Sequence, residues 1–151
     1  MAEFFTELFS NKMLISAGIA WTTAQVIKFI IDFWVNKKID AERLYGPGGM
    51  PSSHSAAVCA LCVSAAKLYG PASPYFAISL VLAFVVMHDA RGVRLQAGYQ
   101  AQVLNRIIAS LKEQGNKPFE DVELLKEIIG HTPFQVHVGG IIGIITALIF
   151  S

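Results

Sequence analysis

The chain has 151 residues, which is the length of one ordinary domain. Hydrophobic residues make up 54% of it and charged residues 15%, and the mean hydropathy of +0.51 is too high for a typical soluble domain. A net charge of +1 and the lack of a long basic run exclude a nucleic-acid-binding arm. We therefore expect residues 1–151 to form a single integral membrane domain that has no nucleic-acid partner.

Four apolar segments predict the main helices, which in chain order are residues 13–35, 56–69, 74–88 and 136–150. A helix that crosses a bilayer needs about 20 mainly apolar residues, so the first is long enough and the others need flanking residues. We predict an all-α fold, a polytopic membrane helical bundle of about four spans. A soluble helical bundle with a buried apolar core is the alternative.

Shorter elements are predicted around these spans. Residues 1–10 carry apolar side chains at helical spacing, and residues 95–111 do the same with polar residues between them. Both patterns are typical of amphipathic helices that lie at the membrane interface or against the bundle. Residues 122–129 predict a short helix that ends at Gly130. The N-terminus lacks the basic segment of a secretory signal, so we expect the first span to be retained.

The run of residues 48–56, GGMPSSHSA, predicts an anion site at the start of the second span. Glycines let the backbone approach a ligand closely, and Pro51 favours a first helical turn. The first amides of a helix are unsatisfied and carry the positive end of the helix dipole, which suits phosphate. Ser52 and Ser53 can cap those amides or donate hydroxyls, and His54 can deliver a proton. An ordinary N-cap with an incidental histidine is the alternative.

Four spans with short connectors bring the polar clusters to one membrane face. These clusters are residues 37–43, 52–54, 89–94 and 131–135. Nine of the 12 lysines and arginines fall on that side, against two on the other. Because positive charge accumulates on the inner side of a membrane, we expect this face to be cytoplasmic in a multi-pass protein of the cell membrane.

The residues on this face suit the hydrolysis of a phosphomonoester. That reaction needs a nucleophile for phosphorus, an acid for the leaving oxygen, and positive charge around the other oxygens. Two histidines can divide the first two tasks, and arginine or lysine can supply the third. Because clustered metal-ligating carboxylates and histidines are missing from the sequence pattern, we favour a metal-independent mechanism without a cofactor.

Several motifs resemble a known superfamily. Residues 51–56, PSSHSA, are similar to the Pro-Ser-Gly-His motif of type 2 phosphatidic acid phosphatases and vanadium haloperoxidases. The longer run GGMPSSHSA resembles the divergent, short bacterial and plastid membrane branch of that superfamily. Residues 89–94 (DARGVR), 100–105 (QAQVLN) and 130–136 (GHTPFQV) resemble this branch as well.

The resemblance implies a phosphohistidine mechanism. In the superfamily the histidine of the first motif protonates the leaving group, which gives this role to His54. A later histidine attacks phosphorus, and an acidic residue four positions on orients it. His131 matches that histidine, and Gln135 occupies the acidic position, where its amide can accept a hydrogen bond from the imidazole. Asp89 is a second candidate for the acidic partner.

The candidate phosphate-binding side chains come from several elements. They are Lys28, Arg43, Ser52, Ser53, Arg91 and Arg94. For each cation, a side chain that merely extends its charge to the membrane surface is the alternative.

The predicted function is a membrane phosphatase whose substrate is a phosphorylated lipid. A protein that binds or transports phospholipid or another anion without turnover is the main alternative. A vanadate-dependent peroxidase and a purely structural membrane protein are further alternatives. A small bundle of four short helices is also compatible with a homo-oligomer.

Overall fold

The structure is a computed structural model that describes residues 1–37, 49–113, 122–127 and 130–151. Every regular element in these ranges is helical, as the sequence predicts. The six helices are α1 (Ala2–Ser10), α2 (Lys12–Asn36), α3 (Ser53–Tyr69), α4 (Pro74–Arg91), α5 (Val93–Glu113) and α6 (Pro133–Phe150).

The ends of these helices follow from local side-chain chemistry. Asn11 caps α2 by accepting hydrogen bonds from two backbone amides of its first turn, and Ser73 caps α4 in the same way with one. Thr132 caps α6 in a reciprocal capping box with Gln135. The cap of α3 is Ser52, so Pro51 lies outside the helix, one residue before the cap, and not in the predicted first turn.

Helix α3 is the centre of the bundle, because it packs against α2, α4 and α6. The contact surfaces consist of small residues, including the buried Ala20, Ala56 and Ala60. At two positions of α6 only glycine fits. A methyl group on Gly139 would overlap the backbone carbonyl oxygen of Ser52, and one on Gly143 would overlap that of Ala56. Small side chains thus let the two backbones approach closely, as they do in many membrane bundles.

Three helical segments are long and apolar enough to cross a membrane: Lys12–Asn36, Pro74–Glu113, which comprises α4 and α5, and Pro133–Phe150. Large apolar side chains on their outer faces are exposed, such as Phe84 on α4 and Leu148 on α6. This arrangement suits contact with lipid. Helix α3 has 17 residues and is not among the three, so the count of four spans stays a prediction.

The predicted short helix over residues 122–129 is wrong for its described part, because residues 122–127 have no regular secondary structure. Asn105 on α5 explains the difference. Its side-chain oxygen accepts from the Leu125 amide at 2.9 Å, and its side-chain nitrogen donates to the Leu125 carbonyl at 2.9 Å. Both backbone groups of Leu125 therefore bond to a side chain and are diverted from helical hydrogen bonding.

The amphipathic segment predicted over residues 95–111 is present as α5. The buried residues of this helix are Gly98, Ala101 and Asn105, which lie on one face. Its helix partner is α4, and its buried face also holds the 122–127 segment through Asn105. Helix α5 is consequently a support for the chain that leads to His131.

Candidate phosphate site

The starts of α3 and α6 are held together by the backbone. The Ser52 amide donates to the Gln135 carbonyl at 3.2 Å, and Gly139 packs directly on the Ser52 carbonyl. Within the first turn of α3, the buried Ser52 hydroxyl oxygen accepts from the Ser55 amide at 3.3 Å and from the Ser55 hydroxyl at 2.9 Å. These bonds fix the segment that carries His54.

The end of α4 joins the same assembly. The His131 amide donates to the Ala90 carbonyl at 3.0 Å, and Gly130 lies against the backbone of Leu95. Three of the four polar clusters that the topology was expected to bring together therefore meet. The fourth, residues 37–43, lies outside the described residues except for Lys37, and so does Arg43.

His131 is 6% exposed, and its ring orientation is set by Gln135. The Gln135 side-chain oxygen accepts from the Thr132 amide at 3.1 Å, which identifies that atom as oxygen because an amide N–H can only donate. The same oxygen lies 3.3 Å from Nδ1 of His131. The imidazole proton is therefore on Nδ1, and the lone pair of the neutral ring is on Nε2.

The pKa of His131 is lowered from its ordinary value of 6.5, mainly because burial disfavours the charged ring. Hydrogen bonding to Gln135 and to the Gly49 backbone opposes this shift. The charges of His54 and Lys28 add to it. His131 is thus held neutral near pH 7, which is the state that a nucleophile requires.

Lys28 is a cation enclosed in the protein, because only 5% of it is exposed. Its aliphatic chain passes the turn at Gly49, where a methyl group would lie 3.0 Å from Lys28 Cδ. Gly49 has φ +82°, a backbone conformation that favours glycine. The conformation of the turn before α3 therefore favours glycine, and Gly49 lies against the Lys28 side chain.

His54 lies at the surface end of the same cluster. Partial burial of its ring is the largest influence that lowers its pKa, followed by the charges of Arg94 and Lys28. Asp89 acts in the opposite direction. The Arg94 Nε atom and the Asp89 Oδ2 atom form an ion pair at 2.5 Å. The charges of Asp89 and Arg94 thus influence the pKa of His54, and these two residues form an ion pair with each other.

Arg91 is directed elsewhere. It lines a groove of about 700 Å³ between α4 and α6, together with His88 and His137. His137 is also engaged locally, with its Nδ1 atom 2.6 Å from the Pro133 carbonyl oxygen. The described residues thus place His54, His131, Lys28 and Arg94 in one cluster and Arg91 in the groove, and Asp89 borders both. Among the described residues, no group of three histidine, cysteine or acidic side chains could hold a metal ion.

The sequence pattern does not identify two contributors to the site. It predicts Gly49 only as part of a turn, whereas the contacts of Gly49 with Lys28 and His131 depend on folding. It gives Asn105 only as part of a motif, although Asn105 continues the small-residue face of Gly98 and Ala101 with a polar side chain. A buried amide on such a face requires partners, and here they are backbone groups.

Comparison with known proteins identifies the family of the chain. The chain is 42% identical over 153 residues to the "Uncharacterized membrane protein YuiD" of Bacillus subtilis (strain 168), an alignment that covers 96% of this chain and 97% of that protein. No solved structure matches the chain. A family model described as "Divergent PAP2 family" matches residues 9–146. The chain therefore belongs to the divergent PAP2 family and is similar to a membrane protein over nearly its whole length.

Proposed function

We propose that the protein is a membrane lipid-phosphate phosphatase that hydrolyses a phosphomonoester through a phosphohistidine on His131. The observation that carries the proposal is the buried, neutral His131 ring, whose Nδ1 proton is directed to Gln135 while Lys28 and His54 lie nearby. A neutral imidazole with an oriented lone pair is a nucleophile for phosphorus. The adjacent cations provide the charge that an anionic phosphoryl group requires.

In the first step, Nε2 of His131 attacks phosphorus while the bond from phosphorus to the ester oxygen breaks. The protonated form of His54, which its lowered pKa makes the minor form near pH 7, donates its proton to that oxygen, so that the product leaves as a neutral alcohol. In the second step, the neutral His54 takes a proton from water, and the water oxygen attacks phosphorus. The bond from phosphorus to Nε2 breaks, inorganic phosphate leaves, and both histidines return to their starting states.

Lys28 and Arg94 would neutralise the phosphoryl oxygens during both steps. Lys28 is buried, so its charge acts with little screening by solvent. Arg94 is half-exposed and paired with Asp89, and we assign it to the entrance of the site. Ser52 and Ser53 are buried at the start of α3, where Ser52 is used as the helix cap. We assign to these two serines the positioning of His54.

A lipid substrate is supported by the family, by the three apolar helices and by the position of the histidines at helix starts. The excess of basic residues on this side supports a cytoplasmic orientation of the site. A lipid held in the bilayer would present its phosphate at the level of these histidines.

The test is phosphate release by detergent-purified protein from a panel of lipid phosphates. We expect release by the unchanged protein and a loss of at least about a hundredfold in His54→Ala and His131→Ala. His137→Ala is the matched control, because its ring is outside the cluster. Acid-labile phosphorylation of the unchanged protein, absent in His131→Ala, would identify the intermediate. Release that survives in His131→Ala would contradict the mechanism.

A second candidate function is the binding of a phosphorylated lipid without turnover. Gln135 favours it, because an amide cannot stabilise an imidazolium as a carboxylate does. This function predicts retained binding of vanadate, a phosphate analogue, with no release of phosphate from any lipid. The phosphorylation measurement separates the two functions.

A further inference from the structure

A separate cavity of about 330 Å³ adjoins the histidine cluster. One wall contains Gly49, Thr132 and Gln135, which are the residues that contact or orient His131. A group bound in this cavity would therefore lie against residues that contact or orient the His131 ring. Its volume is at the lower end of the range for ligand cavities and suits a small polar headgroup.

Other residues of the lining carry polar side chains of a different kind. Tyr99 and Gln102 extend from α5, and Glu127 extends from the segment that precedes His131. Asn105 fixes Glu127 by donating from Nδ2 to its Oε1 atom at 2.8 Å. The second carboxylate oxygen retains its capacity to accept a hydrogen bond from a ligand.

The charge of the cavity lining differs from that of the histidine cluster. The described residues that line the cavity include one carboxylate and no lysine or arginine. A carboxylate repels a phosphate and attracts a hydroxyl or another hydrogen-bond donor. The cluster and the cavity thus favour opposite ends of a phosphomonoester, the phosphoryl group in the first and the alcohol in the second.

We propose that this cavity binds the leaving alcohol of the substrate and selects an alcohol that carries a further hydroxyl group, which donates a hydrogen bond to Glu127. The inference rests on the proposed function, because it assigns the two ends of a phosphomonoester to the two sites. It narrows the substrate class from any lipid phosphate to phosphates of hydroxyl-bearing lipids. Simple alkyl and isoprenoid phosphates would leave the Glu127 carboxylate without a ligand partner.

The test compares two ligands that differ by one hydroxyl group, 1-O-dodecylglycerol 3-phosphate and 3-dodecyloxypropyl phosphate. Their binding to the full chain in detergent is measured by calorimetry in the His131→Asn background, which prevents turnover. We expect the hydroxyl-bearing ligand to bind about tenfold more tightly, the effect of one hydrogen bond to a charged group. The ratio should fall to about threefold in Glu127→Gln and to about one in Glu127→Ala.

Glu123→Gln is the matched control, because it makes the same chemical change on the same segment outside the cavity. It should keep the tenfold ratio. Glu127→Gln retains an oxygen that can accept from Asn105, so this variant preserves the fold if Glu127→Ala does not. The inference would be overturned if the protein with Glu127 bound the two ligands equally tightly. It would also be overturned if Glu127→Gln left the ratio of the two affinities unchanged. A preserved ratio with no phosphate release by protein that retains His131 would refute the phosphatase and leave the cavity assignment standing.

Discussion

Replacing Gln135 by glutamate tests the most distinctive feature of the site. The Gln135 oxygen accepts from Nδ1 of His131 and from the Thr132 amide. A glutamate oxygen can accept both bonds, so the capping box of α6 is preserved. A negative charge in the first turn of a helix is also favourable. The change therefore adds charge next to His131 without loss of structure.

The magnitude follows from the difference between neutral and charged hydrogen bonds. A neutral bond contributes about 1 kcal/mol and a bond to a charged group about 2 kcal/mol, so the imidazolium gains about 1 kcal/mol. That gain raises the pKa of His131. Because attack on phosphorus develops positive charge on the ring, we expect the rate of phosphate release to rise about fivefold above pH 7.

The pH profile provides the second measurement. His131 attacks in its neutral form, and its pKa lies below 6.5. A raised pKa moves the acid limb of kcat/KM to higher pH. Gln100→Glu, on an exposed part of α5, is the control for added charge and should leave both quantities unchanged. A Gln135→Glu protein with an unchanged rate and an unchanged acid limb would refute the role assigned to Gln135.

Three further predictions concern packing, the support of the site and its electrostatics. Gly143→Ala should lower the free energy of unfolding by about 1–3 kcal/mol in detergent denaturation, because its methyl group would meet a backbone carbonyl, whereas Gly18→Ala, with open space, should not. Equal effects of the two would contradict the close helix contact. Asn105→Ala should accelerate tryptic cleavage of the 122–127 segment, and unchanged cleavage would show that the amide does not hold it. Asp89→Asn removes a charge that raises the pKa of His54, so the basic limb of kcat/KM should move to lower pH, and a shift to higher pH would refute the assignment of His54 as the acid.

The helices were predictable because hydrophobic runs and capping residues act locally. Ser73 and Pro74 define the start of α4 in the sequence as they do in the structure. The segment over residues 122–129 was not predictable in this way, since its conformation depends on hydrogen bonds to Asn105, about 20 residues earlier. Local periodicity contains no information about such a partner.

For the candidate site, the convergence of the polar clusters was predictable, but the direction of individual side chains was not. Topology alone brought the clusters around His54 and His131 to one face, and the structure joins them through backbone contacts. Topology could not distinguish Arg94 from Arg91, which lie three residues apart but face different spaces. Such a distinction requires the rotation of the helix ends, which tertiary packing determines.

The shortness of α3 has a consequence for the surrounding lipid. Its 17 residues extend about 26 Å, whereas the hydrocarbon layer of a typical bilayer is about 30 Å thick. If this helix crosses the membrane, as the sequence predicts, lipids that adjoin its end would have to compress by a few ångströms or leave apolar chain against polar groups. The bilayer would then be thinnest beside the histidines, and the plane of lipid phosphates would dip toward them. Membrane thickness would thereby influence how readily a substrate reaches the site.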